Sequence, residues 1–269
     1  MAETFNPNEL VIERVRAVEE YDPETKELVG RYTQIEDPSL NLSADGTDVT
    51  DAMGAPITTF YNAQSGTFEF SNSLFSMDLA ASQFGTKKIV ASSEDKIIVP
   101  VSETITIAAD HTVPLTYVPV GEAEGAEIKY VKVMNADGTF SDTYTVTSGA
   151  VEGKTFSIDA KGKKITLPDG VTGRVFVNYE RESEQAAMVT KTASDIPQVR
   201  SLLIHVIFHD PCNTNKIIAG IISCPRAQID PSSVDISLTA DGKHAASYLL
   251  RKPYCDETGK LVDIIVSND

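Results

Sequence analysis

Short stretches in which apolar and polar residues alternate make up most of this chain. From Arg174 to Glu180, single residues separate Val175, Val177 and Tyr179, so these three side chains would share one face of a strand. Comparable runs rich in Val, Ile, Thr, Phe and Tyr recur between turn signals about 8 to 12 residues apart, as in β-sandwiches and small barrels. The pattern predicts a mainly β protein.

Asp-Gly dipeptides separate several of these runs. Gly accepts the positive φ that tight hairpin turns require, and Asp tolerates it, so Asp-Gly between alternating runs predicts a hairpin turn. The chain has four such dipeptides, at residues 45–46, 137–138, 169–170 and 241–242.

The first part of the chain is predicted to contain one hairpin and one long loop. Residues 9–36 form the hairpin, with its turn at Asp22-Pro23. Residues 37–56 are rich in Ser, Asn, Asp, Gly and Pro and have little apolar content, which predicts a long surface loop. Such loops often carry contacts.

One segment has helical spacing instead. Leu74, Met77, Ala81 and Phe84 recur at intervals of three and four residues, which predicts a single helix over about residues 72–84. A helix of this length beside a sheet most often seals one end or face of a barrel.

The later strands predict a division into domains. Residues 96–185 hold a block of short strands that we interpret as an inserted or appended immunoglobulin-like β domain. Residues 1–95 and 186–269 would then be two parts of one antiparallel β-barrel or sandwich with the flanking α-helix. In the second part we expect a polar or weakly helical connector over 183–196 and two strong strands. We also expect a final hairpin that pairs 245–251 with 261–266 across the turn at 256–259.

Composition narrows the functional classes. The net charge of −16, from 23 basic and 39 acidic residues, disfavours a duplex-binding surface, which gains affinity through Lys and Arg. Three cysteines without a CxxC spacing do not indicate a disulfide framework. The amino-terminal residues lack the pattern of a secretion signal, and no apolar stretch approaches the roughly 20 residues of a membrane span. These features predict a cytoplasmic site of synthesis and no membrane contact.

No motif indicates catalysis. The chain has no GxSxG, no GxxxxGK[ST] and no Cys/His signature, so we expect no catalytic residue and no cofactor. The candidate metal ligands are His205, His209 and Cys212, but on a strand the two histidines would lie about 13 Å apart, too far to share one ion. The acidic pairs Glu122/Glu124 and Glu182/Glu184 are expected to be solvated rather than glycosidase carboxylates.

Several segments, taken in order, resemble bacteriophage tail tube (major tail) proteins. They are Gly66–Ser71 leading into Leu74-Phe75, the strand that ends at Tyr179-Glu180, and Asp210-Pro211-Cys212 after a strong strand. The resemblance implies a β-barrel or sandwich with one helix, in which six copies form a ring whose inner sheets join across subunits. Such rings would stack into a tube.

The resemblance also implies a function, that of a non-enzymatic virion structural protein whose tube conducts DNA during ejection. DNA would pass without specific binding, because an acidic lining offers it no cations. The expected partners are further copies of the chain, the tape-measure, tail terminator and baseplate proteins, and a sheath if the tail contracts. Assembly would take place in the host cytoplasm. The long loop is then the natural contact between rings, with candidate residues Asp45, Gly46, Asp48, Asp51 and Met53.

The residues alone leave two other functions open. An acidic β fold also suits a capsid decoration or minor head protein. A metal-dependent or carbohydrate-active enzyme would require the histidine and cysteine candidates, or one of the acidic pairs, to converge in space.

Overall fold

A computed structural model describes residues 7–254 and 259–267, which are mostly strand with one helix. Predictions that concern Cys255, the turn at 256–258 or residues 1–6 lie outside the described residues. The elements, in chain order, are β1 Val11–Tyr21, β2 Leu28–Tyr32, β3 Ile35–Thr50, β4 Pro56–Asn72, α1 Met77–Phe84, β5 Ile89–Val90, β6 Ile97–Thr106, β7 Thr112–Pro114, β8 Tyr130–Met134, β9 Phe140–Val146, β10 Thr155–Asp159, β11 Lys164–Thr166, β12 Arg174–Ser183, β13 Ala187–Met188, β14 Val199–Asp210, β15 Asn213–Ile229, β16 His244–Leu250 and β17 Asp263–Ser267.

The described residues form two compact units. Unit 1 comprises those up to Lys88 and from Val189 onward, and unit 2 is Ile89–Met188. In unit 1 one antiparallel sheet runs in the order β2-β1-β14-β15-β16-β4-β3, with β17 also paired to β15, and it curves into a nearly closed barrel. The predicted mainly β, antiparallel architecture with one helix is confirmed.

Aromatic side chains fill the centre of unit 1. Tyr32, Phe70 and Tyr248 are each at most 2% exposed, and the ring of Phe70 lies 5.8 Å from that of Tyr32 and 6.2 Å from that of Tyr248. Alternate residues of β14 and β16 complete this core, so the period-two pattern of the sequence matches the burial observed.

The first predicted hairpin is confirmed, since β1 pairs with β2. The loop predicted over residues 37–56 is wrong. Most of it belongs to β3, which pairs with β4 along nearly its whole length, and a short turn at 51–55 joins the two strands. Ladder hydrogen bonds hold this hairpin together even though few of its side chains are buried, so apolar content was a misleading guide.

The four Asp-Gly dipeptides differ in what they form. Gly138 and Gly170 both have φ of 86° and lie in turns. The turn at Gly138 joins the paired strands β8 and β9, as predicted, whereas the strands on either side of Gly170, β11 and β12, do not pair with each other. The amide of Gly242 donates to the carbonyl of Thr239 in a turn before β16. Asp45-Gly46 is not a hairpin turn, because Gly46 is part of β3, beside a break in the β3–β4 register.

The helix is shorter than predicted. It begins at Met77 because Ser76, in extended conformation, caps it and accepts a hydrogen bond from the amide of Leu79 at 3.3 Å. It ends before Gly85, which has φ of 76°. Leu74, the first residue of the predicted apolar stripe, precedes the helix and is 62% exposed.

Unit 2 is a seven-stranded sheet in the order β6-β12-β8-β9-β10-β11-β7, built around its own core. Val175, Val177 and Tyr179 on β12 are buried there, as their alternation predicted. The chain enters and leaves through a two-stranded neck, in which Ile89 pairs with Met188 and Val90 with Ala187. The polar or weakly helical connector predicted over 183–196 contains no helix.

The predicted final hairpin is also wrong. β16 and β17 do not pair with each other, because each pairs with a different part of β15. Residues 219–223 of β15 pair with β17, and residues 227–229 pair with β16. Because β15 is 17 residues long, successive parts of it can pair with two different strands.

Candidate functional site

The outer part of the β3–β4 hairpin extends away from the core of unit 1. We call residues 42–65 the arm. No residue of the arm whose exposure is described is buried. At about 3.3 Å per residue, the strand residues from Leu42 to Thr50 span roughly 27 Å.

The arm carries large apolar side chains on both of its faces. Gly46 lies opposite Tyr61, and Asp48 opposite Thr59, on one face, whereas Phe60 and Val49 belong to the other face. An isolated two-stranded hairpin is at best marginally stable in water. The arm therefore has the composition of a segment that is buried against a partner. Its exposed apolar residues are Leu42 (53%), Val49 (41%), Met53 (93%), Ile57 (68%), Phe60 (63%) and Tyr61 (73%).

The tip of the arm is a well-defined turn. The Asp51 carboxylate accepts hydrogen bonds from the amides of Met53 and Ala55, both at 2.9 Å, and Gly54 adopts a φ of 85°. This geometry leaves the Met53 side chain at the end of the turn, almost completely exposed.

All five predicted contact residues lie on the arm. Asp45, Gly46 and Asp48 are in β3, and Asp51 and Met53 are in the tip turn. Their roles differ, because Asp51 forms the turn and Asp48 accepts a hydrogen bond from the Thr59 hydroxyl at 2.6 Å.

The β4 side of the arm was not among the predicted contact residues. Ile57, Phe60 and Tyr61 are exposed there. The run Ile57-Thr58-Thr59-Phe60-Tyr61 combines β-branched and aromatic residues, and this was the available signal for a strand.

Unit 1 also has long strand edges without a partner in the described chain. β3 is 16 residues long and pairs with β4 alone, while residues 11–17 of β1 pair with β14 alone. Unprotected edges of this length are templates for pairing with another chain. They therefore suit continuation of the sheet by a neighbouring subunit.

The charge along the chain is uneven. None of the 23 lysines and arginines lies between Tyr32 and Thr86, a segment that contains seven acidic residues. β3, the arm, β4 and the helix all belong to this cation-free segment.

The candidate metal ligands have other partners. Nε2 of His205 lies 3.1 Å from the Glu19 carboxylate, and Nε2 of His209 bonds to Glu13. The Cys212 amide donates to Asp210 in the turn between β14 and β15. Within residues 7–254 and 259–267, no three His, Cys, Asp or Glu side chains are grouped so that they could hold an ion.

The two acidic pairs were expected to be solvated, and three of their four carboxylates lie near a lysine. Lys96 lies 3.2 Å from Glu182 and 3.4 Å from Glu184. Glu124 lies 3.7 Å from Lys161, and both of those side chains are largely exposed. Over the described part of the chain, no helix has the length and apolar character needed to cross a bilayer.

A family comparison agrees with this architecture. The model of the YomU/Tube protein family matches residues 10–264, nearly the whole chain. No curated protein matches the chain significantly.

Proposed function

This chain belongs to the YomU/Tube protein family, the structural family of phage tail tubes, and from that premise we propose that it forms hexameric rings that stack into a tube. The tube would be the conduit through which DNA leaves the virion. The observation that carries the proposal is the arm, both of whose faces carry large apolar side chains that are exposed in the single subunit.

The arm fits the contact between rings. It extends beyond the core, it has exposed apolar side chains along its length, and Met53 at its tip is 93% exposed. Burial of such side chains against the next ring would stabilise both the contact and the arm, since each large apolar side chain contributes about 1.5–3 kcal/mol when fully buried.

The strand edges fit the contact within a ring. A neighbour that pairs with β3 or with residues 11–17 of β1 would satisfy backbone groups that the described chain leaves without a ladder partner. The sheets of the six subunits would thereby become continuous.

We also propose that DNA passes through the tube and that the tube contacts other tail proteins. A net charge of −16 gives DNA little to bind, so the duplex would slide. The ends and the interior of the tube would meet tape-measure, tail terminator and baseplate proteins, with a sheath if the tail contracts, and assembly would occur in the host cytoplasm.

The test is assembly of the purified protein with and without the aromatic surface of the arm. We expect the wild type to form tubes of uniform width in negative stain, with six-fold class averages in end views. Phe60→Ser should stop at rings or single subunits because it removes an apolar contact between rings. Tyr130→Ser is the matched control, since Tyr130 in unit 2 is 62% exposed and Phe60 is 63% exposed.

Two results would contradict the proposal. One is a wild-type protein that stays monomeric at high concentration. The other is a Phe60→Ser variant that forms tubes as long as those of the wild type. Circular dichroism of each variant would establish that the β fold is intact.

A further inference from the structure

One side of the β3–β4–β16 sheet in unit 1 is covered with small hydroxyl and amide side chains. Alternate residues of these strands point to the core, among them Phe68, Phe70 and Tyr248, and the residues between them point the other way. Those on the opposite side are Ser39, Asn41, Ser43, Ser65, Thr67, Glu69, Ser71 and Ser247, which together we call the hydroxyl face.

Cross-strand pairing gives the hydroxyl face its order. Ser43 lies opposite Ser65 with their hydroxyl oxygens 3.1 Å apart, and Asn41 lies opposite Thr67. The Ser247 hydroxyl donates to the Glu69 carboxylate at 3.1 Å. The apolar members of the β16 row are Ala245 and Leu249.

The hydroxyl face contains no cation. Its β3 and β4 residues lie inside the segment that lacks lysine and arginine, and its charged member is Glu69. At one end Lys243 is held by Glu36 and Asp37, while Arg226 and Arg251 follow beyond Leu249, where β15 and β16 pair.

Another part of the same sheet, formed by β14, β15 and β17, has a different chemistry. On the side of β14, β15 and β17 that faces away from the core, Ile221 lies opposite Ile265 and also opposite His205. Ile265 is 54% exposed, and Ile217 on the same side of β15 is 66% exposed. Such an apolar surface suits burial between subunits, whereas the hydroxyl face suits contact with water.

We propose that the hydroxyl face lines the lumen of the tube and is the surface past which double-stranded DNA moves. This inference rests on the proposed function. Without lysine or arginine, the face neutralises no phosphates and releases no counterions, so it provides no electrostatic hold on the duplex. Its hydroxyls keep a hydration layer, and Glu69 repels the phosphates.

The experiment introduces cations on the hydroxyl face and asks where DNA then binds. Ser39→Lys/Asn41→Lys places two lysines on exposed positions of β3, outside the arm. Thr143→Lys/Thr145→Lys is the matched control, with the same spacing on exposed positions of β9 in unit 2. Assembled tubes of each protein are mixed with short duplex DNA at low salt, treated with nuclease and sedimented.

We expect Ser39→Lys/Asn41→Lys tubes to retain DNA that resists nuclease, because the lumen excludes the enzyme, and to release it at high salt. Wild-type tubes should retain none, and DNA on the control tubes should be digested. The inference is overturned if DNA on the Ser39→Lys/Asn41→Lys tubes is digested as readily as on the control, or if those tubes retain none. It is also overturned if this variant alone fails to form tubes, which would place the face at a subunit contact. Failure of the wild type to form tubes would instead refute the proposed function.

Discussion

Ser82 on helix α1 donates a hydrogen bond to the carboxylate of Glu20 on β1 at 2.8 Å, inside unit 1, where Glu20 is fully buried. The Tyr32 hydroxyl donates to the same oxygen at 2.8 Å. The Arg200 guanidinium lies 3.5 Å from the other oxygen, as an ion pair without hydrogen-bond geometry. This cluster attaches the helix to the barrel.

Two substitutions of Glu20 should distinguish the contribution of its hydrogen bonds to the free energy of unfolding from the penalty of burying its charge. Glu20→Leu leaves two buried hydroxyls unsatisfied, at a cost of about 1–3 kcal/mol for each. Glu20→Gln retains an acceptor and should lose less. Urea unfolding followed by circular dichroism would measure both, and equal losses would show that the hydrogen bonds contribute little.

The same residue should affect how stability varies with pH. Burial raises the pKa of Glu20 above 4.5, so the folded state binds this proton more readily than the unfolded chain does. The free energy of unfolding of the wild type relative to Glu20→Gln should therefore rise as the pH falls from the folded pKa toward 4.5. A difference that stays constant over this range would contradict the assignment.

His244 should make the protein less stable as the pH falls, which is the opposite of the effect expected for Glu20. Its Nδ1 accepts from the Ser76 amide at 3.3 Å, at the start of α1, and its Nε2 donates to Gln83 at 2.8 Å. Burial lowers the pKa of His244 below 6.5, so its contribution is complete above pH 6.5 and is lost as the pH falls through the folded pKa. His244→Gln should flatten this part of the stability curve, and an unchanged slope would argue against it.

Gly46 should be required for the shape of the arm. A Cβ at this position would lie 2.6 Å from Cγ2 of Thr59 and 3.4 Å from the Tyr61 ring. Gly46→Val should therefore lower the yield of tubes severalfold while the melting of unit 1 changes little. Gly149→Ala is a control, because a Cβ there meets nothing closer than 3.6 Å. Normal tube yield from Gly46→Val would count against a role for the arm.

Unit 2 should be removable. The paired neck residues Ile89 and Met188 bring the two ends of the unit close together, so a short Gly-Ser linker can join Lys88 to Val189. We expect the shortened chain to fold and to form tubes, because unit 1 contains the arm and the unpaired strand edges on which the proposed assembly depends. Aggregation of the shortened chain, with no soluble β fold, would refute this prediction.

Thiol reactivity should distinguish two of the cysteines. Cys212 is exposed, whereas Cys224 is buried and burial raises the pKa of its thiol to about 12. In a Cys255→Ser background, a thiol reagent should label one site in the native protein and two after unfolding. Rapid native labelling of both would contradict the burial of Cys224.

Much of the fold follows from local pattern. The alternation of Val175, Val177 and Tyr179 predicted their burial, because a strand in a half-buried sheet imposes a period of two. The pairing of β17 with β15 could not be predicted, since it depends on which distant edge is free once the barrel has formed. Local turn signals favoured β16 as the partner.

The segment proposed for contact between rings is exposed, as the sequence suggested, but it is a pair of strands and not a loop. Asp45, Asp48 and Met53 were predicted to be contact residues within a loop. Ser, Asn and Asp are common in loops, and their presence here concealed the ladder between two strands. Phe60 and Tyr61 are exposed in the single subunit, so a search for core residues does not single them out.

The exposed arm also sets a condition on the kinetics of growth. If each arm becomes stable only when it packs against another copy, two free subunits meet while both arms are still unstable. The end of an existing tube instead presents arms that are already ordered. Elongation then has a lower barrier than initiation. Polymerisation should show a lag that preformed seeds abolish, and the number of seeds, more than the protein concentration, would determine how many tubes appear.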